Sequence, residues 1–160
     1  MNTSQPTIPD IKIIDFTEQT KDAIRALNVE WLEKYFRVEP GDVTSLSDPV
    51  GEIIGKGGLI YYAVYNDQII GTASLIKINN QRYELAKMAV TESAQGLGIG
   101  KALMDHCMNI AVQLSLTSLV LYSNTKLTSA IHLYRKYGFI EVPLDIVHYE
   151  RANIKMEKLM

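Results

Sequence analysis

The spacing of apolar residues changes period several times along the chain, and each change marks an element. Ile11, Ile13 and Ile14 make a short β-branched run that predicts a strand. Ile24, Leu27 and Trp31 then recur at helical spacing, with Tyr35 one turn further on and Thr17 or Thr20 placed to cap the helix. Pro40-Gly41 reads as the stop of that pattern. Asp48-Pro49 reads as an N-cap with proline at the first helical position, opening a short helix through Ile54. From Leu59 the texture is aromatic and β-branched. Strands are predicted over 59–65, 69–76 and 84–90, with Asn66-Asp67 and Asn79-Asn80 as the turns between them. Residues 101–114 return to the helical period, and Ile99, Leu103, Cys107, Ile110 and Leu114 fall on one face. A buried strand at 118–122 and a helix at 130–137 follow, the helix ended by Gly138. Closing strands at 139–142 and about 150–156 complete the chain. The order β-α-α-β-β-β-α-β-α-β-β predicts an α/β (α+β) domain with helices around one mostly antiparallel sheet.

At 160 residues the chain suits one domain, taken as 11–160. The first ten residues are polar with two prolines and read as a disordered leader, without a signal-peptide pattern. No apolar run approaches the ~20 residues of a membrane span. Cys107 is the only cysteine, so no intrachain disulfide forms, and a cytoplasmic protein is expected. A net charge of −2 argues against nucleic acid or an anionic membrane as the main partner. His106, His132 and His148 have no metal-site spacing, and no metal is expected.

The chemistry gathers at Gln95-Gly96-Leu97-Gly98-Ile99-Gly100, between a predicted strand and a predicted helix. Glycines at alternate positions leave backbone N–H groups uncovered where the helix dipole is positive, which favours a phosphate. A Walker loop would need glycine at 95 and Ser or Thr at 102, where Gln and Ala stand. A dinucleotide fingerprint lacks its third glycine and would belong to a βαβ unit. The pattern [RQ]-x-x-G-x-[GA] is matched by Gln95, Gly98 and Gly100.

With Asn124 and Ala130-x-x-x-Tyr134-x-x-x-Gly138-Phe139, that loop resembles the GNAT superfamily of acyl-CoA-dependent N-acyltransferases, most clearly over residues 59–158. The resemblance implies that the strands at 84–90 and 118–123 splay, with the pantetheine arm of acetyl-CoA between them. Backbone groups of Met88, Ala89 and Val90 would bind that arm, and one near Met88 would hold the oxyanion. Gln95, Gly96, Leu97, Gly98, Ile99, Gly100 and Lys101 would wrap the pyrophosphate. Lys101 also reads as a plain solvated helix residue, and Asn124 as a turn asparagine as well as a cofactor contact. Glu84 is the candidate base, placed on one strand face with Ala86, Met88 and Val90, and also reads as a surface glutamate at a strand end. Tyr134 is the candidate acid for the leaving thiolate, and also reads as a tyrosine packed on the sheet. By the same resemblance the first two helices wall the acceptor site. Trp31, Tyr35 and Phe36 there read mostly as core, and Glu33, Glu39, Asp42 and Asp48 as solvated charges unless they attract a cationic amine. Cys107 reads as core.

The function implied is acetyl transfer from acetyl-CoA to a primary amine of a small molecule or peptide. A non-catalytic acyl-CoA-binding module and a nucleotide-binding protein are the alternatives. Dimers are frequent in the family, so a homodimer is among the expected assemblies.

Overall fold

The computed structural model describes residues 10–145 and 149–160, so the expected leader (save Asp10) and His148 lie outside the described residues. One sheet of seven strands runs in the order β1-β2-β3-β4-β5-β7-β6. Its strands are β1 Lys12–Asp15, β2 Leu59–Tyr65, β3 Gln68–Lys77, β4 Arg82–Val90, β5 Ser118–Ser123, β6 Ile140–Val142 and β7 Ile154–Leu159. Among the described residues only β4 and β5 run parallel; the other neighbours are antiparallel. A parallel pair needs a crossover, and α4 (Ile99–Gln113) supplies it.

The predicted element order holds, with one helix added. α1 is Lys21–Tyr35, α2 Pro40–Ser47, α3 Pro49–Glu52 and α5 Thr128–Lys136. Pro40 opens α2 instead of stopping the chain's helical run. It stands in the first turn, where a missing N–H costs nothing, and the Glu39 N–H donates to Asp42 Oδ2 at 2.9 Å. Among the described residues no helix is long and apolar enough to cross a membrane.

Alternation along β2 divides the core in two. Ile60 and Tyr62 pack with Ile24, Leu46 and Ile53, so α1–α3 cover one face. Tyr61 and Ala63 pack with Leu103 and Cys107, so α4 covers the other, and Ile131, Leu133 and Tyr134 bring α5 onto that same face. Leu103, Met104, Cys107 and Ala111 of α4 are wholly buried. Burial of the larger of these side chains stabilises the fold by roughly 1.5–3 kcal/mol each. α4 lies so close to β3 that a Cβ on Gly71 would stand 2.8 Å from Ile99 Cγ2.

β4 carries a bulge. Thr72 of β3 pairs with Ala89, but Ser74 pairs with Ala86, so Lys87 and Met88 together oppose Ala73. Lys87 takes the left-handed region with φ 56°. Paired residues share a sheet face, and a one-residue slip exchanges the faces beyond it. Glu84 and Ala86 therefore lie with Ala89 on the α1 side, opposite Ile76, Ser74 and Thr72. Met88 and Val90 pack into the α4-side core. The expected common face of Glu84, Ala86, Met88 and Val90 is corrected by this bulge.

Candidate active site

β4 and β5 pair at Arg82↔Ser118, Tyr83↔Leu119 and Glu84↔Val120, and no further. β5 stays in register with β7 along its whole length, so it is β4 and β5 that part. Backbone groups of β4 beyond Glu84 that face β5 are left without a strand partner. A cavity of about 520 Å³ fills the gap. It reaches through the sheet: Gln95, Leu133 and Tyr134 line it from the α4–α5 side, and Trp31, Tyr35 and Phe36 from the α1 side. Glu84, Met88, Ala89, Val90 and Asn124 line it between them.

The glycine loop opens beside this gap. Gly96 and Gly98 have φ of 86° and 80°, conformations that side chains disfavour, and a Cβ on either would meet nothing within 4 Å. The first helical bond of α4 runs from the Ala102 N–H to the Gly98 carbonyl at 3.0 Å, so the N–H groups of Ile99, Gly100 and Lys101 have no partner within the helix. An uncovered backbone before a helix of 15 residues makes an anion seat. Leu97 is half-buried against the α4-side core. The Lys101 ammonium pairs with Asp105 at 2.9 Å on the exposed side of α4. Glu30 of α1 pins the entry to the loop, accepting from Thr91 Oγ1 at 2.8 Å and from the Glu92 N–H at 3.0 Å.

Tyr134 stands over Phe139 with ring centroids 6.1 Å apart, and burial pushes its phenol up to about 12. Asn124 donates to the Arg151 carbonyl at 2.7 Å and accepts from the Lys126 N–H at 2.9 Å. Its amide thus ties the turn after β5 to the segment that leads into β7, at the edge of the cavity. Cys107 is core, and burial pushes its thiol up to about 12, far from a reactive thiolate. Among the described residues no cluster of three or more His, Cys, Asp or Glu forms a metal site.

The α1 side departs from its sequence reading in two ways. Among the described residues Trp31, Tyr35 and Phe36 belong to neither core cluster; Trp31 lies tilted against each of the other two at 5.5 Å on the cavity wall. Glu39 and Asp42 are buried, not solvated. Arg151 bonds both Asp42 oxygens at 2.8 and 2.9 Å and Glu39 Oε2 at 2.9 Å. Lys87 donates to Asp42 at 3.4 Å and to the Tyr149 hydroxyl at 2.6 Å, and the Arg151 guanidinium lies 4.2 Å from the Tyr149 ring centroid. Neither carboxylate is open to a ligand amine. Asp48 caps α3 by accepting from the Gly51 N–H at 3.0 Å, while Glu33 is exposed.

Lys87, Lys126, Tyr149 and Arg151 also line the cavity and were not singled out in the sequence. Lys87 alone left a signal there, as a charge in the middle of an apolar strand.

A profile of the acetyltransferase (GNAT) family matches residues 21–139. An uncharacterized N-acetyltransferase of Bacillus subtilis (strain 168), YvbK, is 30% identical over 116 residues, 68% of this chain and 75% of that protein. A GNAT-family acetyltransferase structure from Staphylococcus aureus Mu50 superposes with TM-score 0.82 at 23% identity, over 93% of this chain and 98% of that one. The PaiA N-acetyltransferase of Thermoplasma acidophilum, in complex with coenzyme A, superposes with TM-score 0.75 at 20% identity, over 94% of this chain and 99% of that one. At these identities the two structures bear on the fold alone.

Proposed function

The chain belongs to the acetyltransferase (GNAT) family, and from that premise we propose that it moves an acetyl group from acetyl-CoA to a primary amine of a small molecule or peptide. The observation that carries this reading is the parting of β4 and β5 after Glu84, beside an uncovered helix N-terminus. A pantetheine arm can bond the unpaired edge of β4 at Met88, Ala89 and Val90 as an added strand would. Its pyrophosphate then falls to the N–H groups of the loop from Gln95 to Lys101. A CoA-bound neighbour of the same fold supports that cosubstrate.

The amine attacks the thioester carbonyl directly. The N–C bond forms, the C–S bond breaks, and the proton on nitrogen must leave. An alkylammonium at neutral pH lies about 3.4 units below its pKa, a cost of about 4.6 kcal/mol. Glu84, turned toward the α1 side, is the base that accepts the proton, directly or through water. A β4 backbone N–H near Met88 stabilises the oxyanion. Tyr134 serves the leaving thiolate. With its phenol near 12, full transfer to a thiolate of pKa ~8.5 is uphill by about 3.5 units, so a hydrogen bond to the developing charge is its main contribution.

Thiol release from acetyl-CoA, measured across a panel of primary amines, tests this reading. Amine-dependent release supports transfer. Binding of acetyl-CoA with every amine inert would favour a regulatory acyl-CoA-binding module, and preference for ATP over CoA would favour a nucleotide site.

A further inference from the structure

We infer that the acceptor is a monoamine with a flat apolar body, an arylalkylamine in chemical class; this rests on the acetyl-transfer reading above. Trp31, Tyr35 and Phe36 are large, half-buried rings on a cavity wall. Trp31 lies tilted against both Tyr35 and Phe36, with centroids 5.5 Å apart in each pair, and among the described residues none of the three joins either core cluster. Stability of the fold does not account for them, whereas a flat apolar ligand would cover them. They stand on the α1 side, the side to which the register turns Glu84. A ligand lying on the rings therefore presents its amine toward Glu84 and the gap between β4 and β5.

Charge narrows the class further. Among the described residues, the charged ones lining the cavity are Glu84, Lys87, Lys126 and Arg151. The nearby carboxylates of Asp42 and Glu39 are already bonded to Arg151, and Asp42 also to Lys87. A polyamine or aminoglycoside would bring several ammonium groups past Lys126 and Arg151 to a wall with one carboxylate. Two of the three rings already face a lysine. Lys126 Nζ lies 4.0 Å from the Phe36 centroid and Lys34 Nζ 5.2 Å from that of Tyr35. One amine and an apolar body fit this wall; a polycation does not.

The test compares kcat/KM for phenethylamine and tryptamine with spermidine and kanamycin, by thiol release from acetyl-CoA. The arylalkylamines are expected to lead by about tenfold or more. Trp31→Ala should raise KM for phenethylamine about tenfold with kcat little changed, and Trp31→Phe should recover most of the loss. An acetyl-CoA-induced rise in Tm verifies that each variant is folded. If Trp31→Ala does not fold, Phe36→Leu and the wild-type ranking decide. Preference for spermidine or kanamycin, or an unchanged KM in a folded Trp31→Ala, overturns this inference and leaves acetyl transfer standing. A rise in Tm with no amine turned over overturns acetyl transfer and this inference together.

Discussion

Glu84 of β4 is the partner of Val120 in β5, and theirs is the last pair the two strands share. The carboxylate thus stands at the foot of the opening, where an ordered strand pair gives way to a cavity. Glu84→Gln keeps the shape of the side chain and removes the carboxylate proposed as the base. It is expected to lower kcat/KM by about 10²-fold or more. The loss should be largest at low pH, where the amine arrives protonated, and should shrink toward the pKa of the amine. A pH–rate profile superimposable on wild type would remove Glu84 from the mechanism.

Tyr134 is a phenol whose ordinary value of 10.0 already lies above the physiological range, and burial pushes it up to about 12. Tyr134→Phe keeps the ring against Phe139 and deletes only the donor. The expected result is a fall in kcat of about 10²-fold with the Kd for acetyl-CoA unchanged. Equal losses in binding and turnover would point instead to a packing role.

The loop glycines separate backbone strain from steric crowding. Gly98 has φ 80° and open space where a Cβ would stand, so Gly98→Ala carries conformational strain alone, about 1–2 kcal/mol. Reshaping the N–H cradle should weaken acetyl-CoA binding by about tenfold, read by titration calorimetry. At Gly100, where φ is not positive, a Cβ meets Met88 Cε and Leu133 Cδ2 at ordinary contact distances of 3.7 and 3.8 Å. Gly100→Ala is expected to cost less stability than Gly98→Ala. The reverse order would contradict the described loop geometry.

Asp42 sits between Arg151 and Lys87. Burial pushes its carboxyl up. The hydrogen bonds from Arg151, the Glu39 N–H and the Lys87 charge outweigh that and hold it below its ordinary value of 3.8. A folded pKa below the unfolded one gives stability that is full above about pH 3.9 and is lost as pH falls through the folded value. Asp42→Asn leaves two buried cations under-compensated and should cost about 3–5 kcal/mol in urea unfolding at pH 7. The difference from wild type should narrow below pH 4. An equally stable variant at pH 7 would show that the network adds nothing to the fold.

Local patterns carried most of the fold and the glycine loop of the candidate site in the sequence. The strand before the glycine loop, the loop itself and the helix after it are contiguous, and their periods and glycines mark them directly. Four features were not legible, each for a physical reason. Pro40 can stop one helix or start another, and the choice rests on Glu39 and Asp42, which form the N-terminal box of α2. The bulge at Lys87 places a non-glycine residue in the left-handed region, a conformation with no residue signature at that position. The burial of Asp42 depends on Arg151, 109 residues further along the chain, so its local surroundings read as a solvated loop. Trp31, Tyr35 and Phe36 show the same limit, since a helical apolar stripe does not say whether a core or a cavity wall lies opposite.

Hydrogen exchange of the chain with and without saturating acetyl-CoA reads the proposed seat residue by residue. If acetyl-CoA lies in the gap, exchange slows at Met88, Ala89 and Val90 on the open edge of β4 and at residues 96–101 of the loop and first turn of α4. The β1–β2 ladder, which lies away from the gap, should be unchanged. Protection confined to other segments, or none at either β4 or the loop, would contradict it.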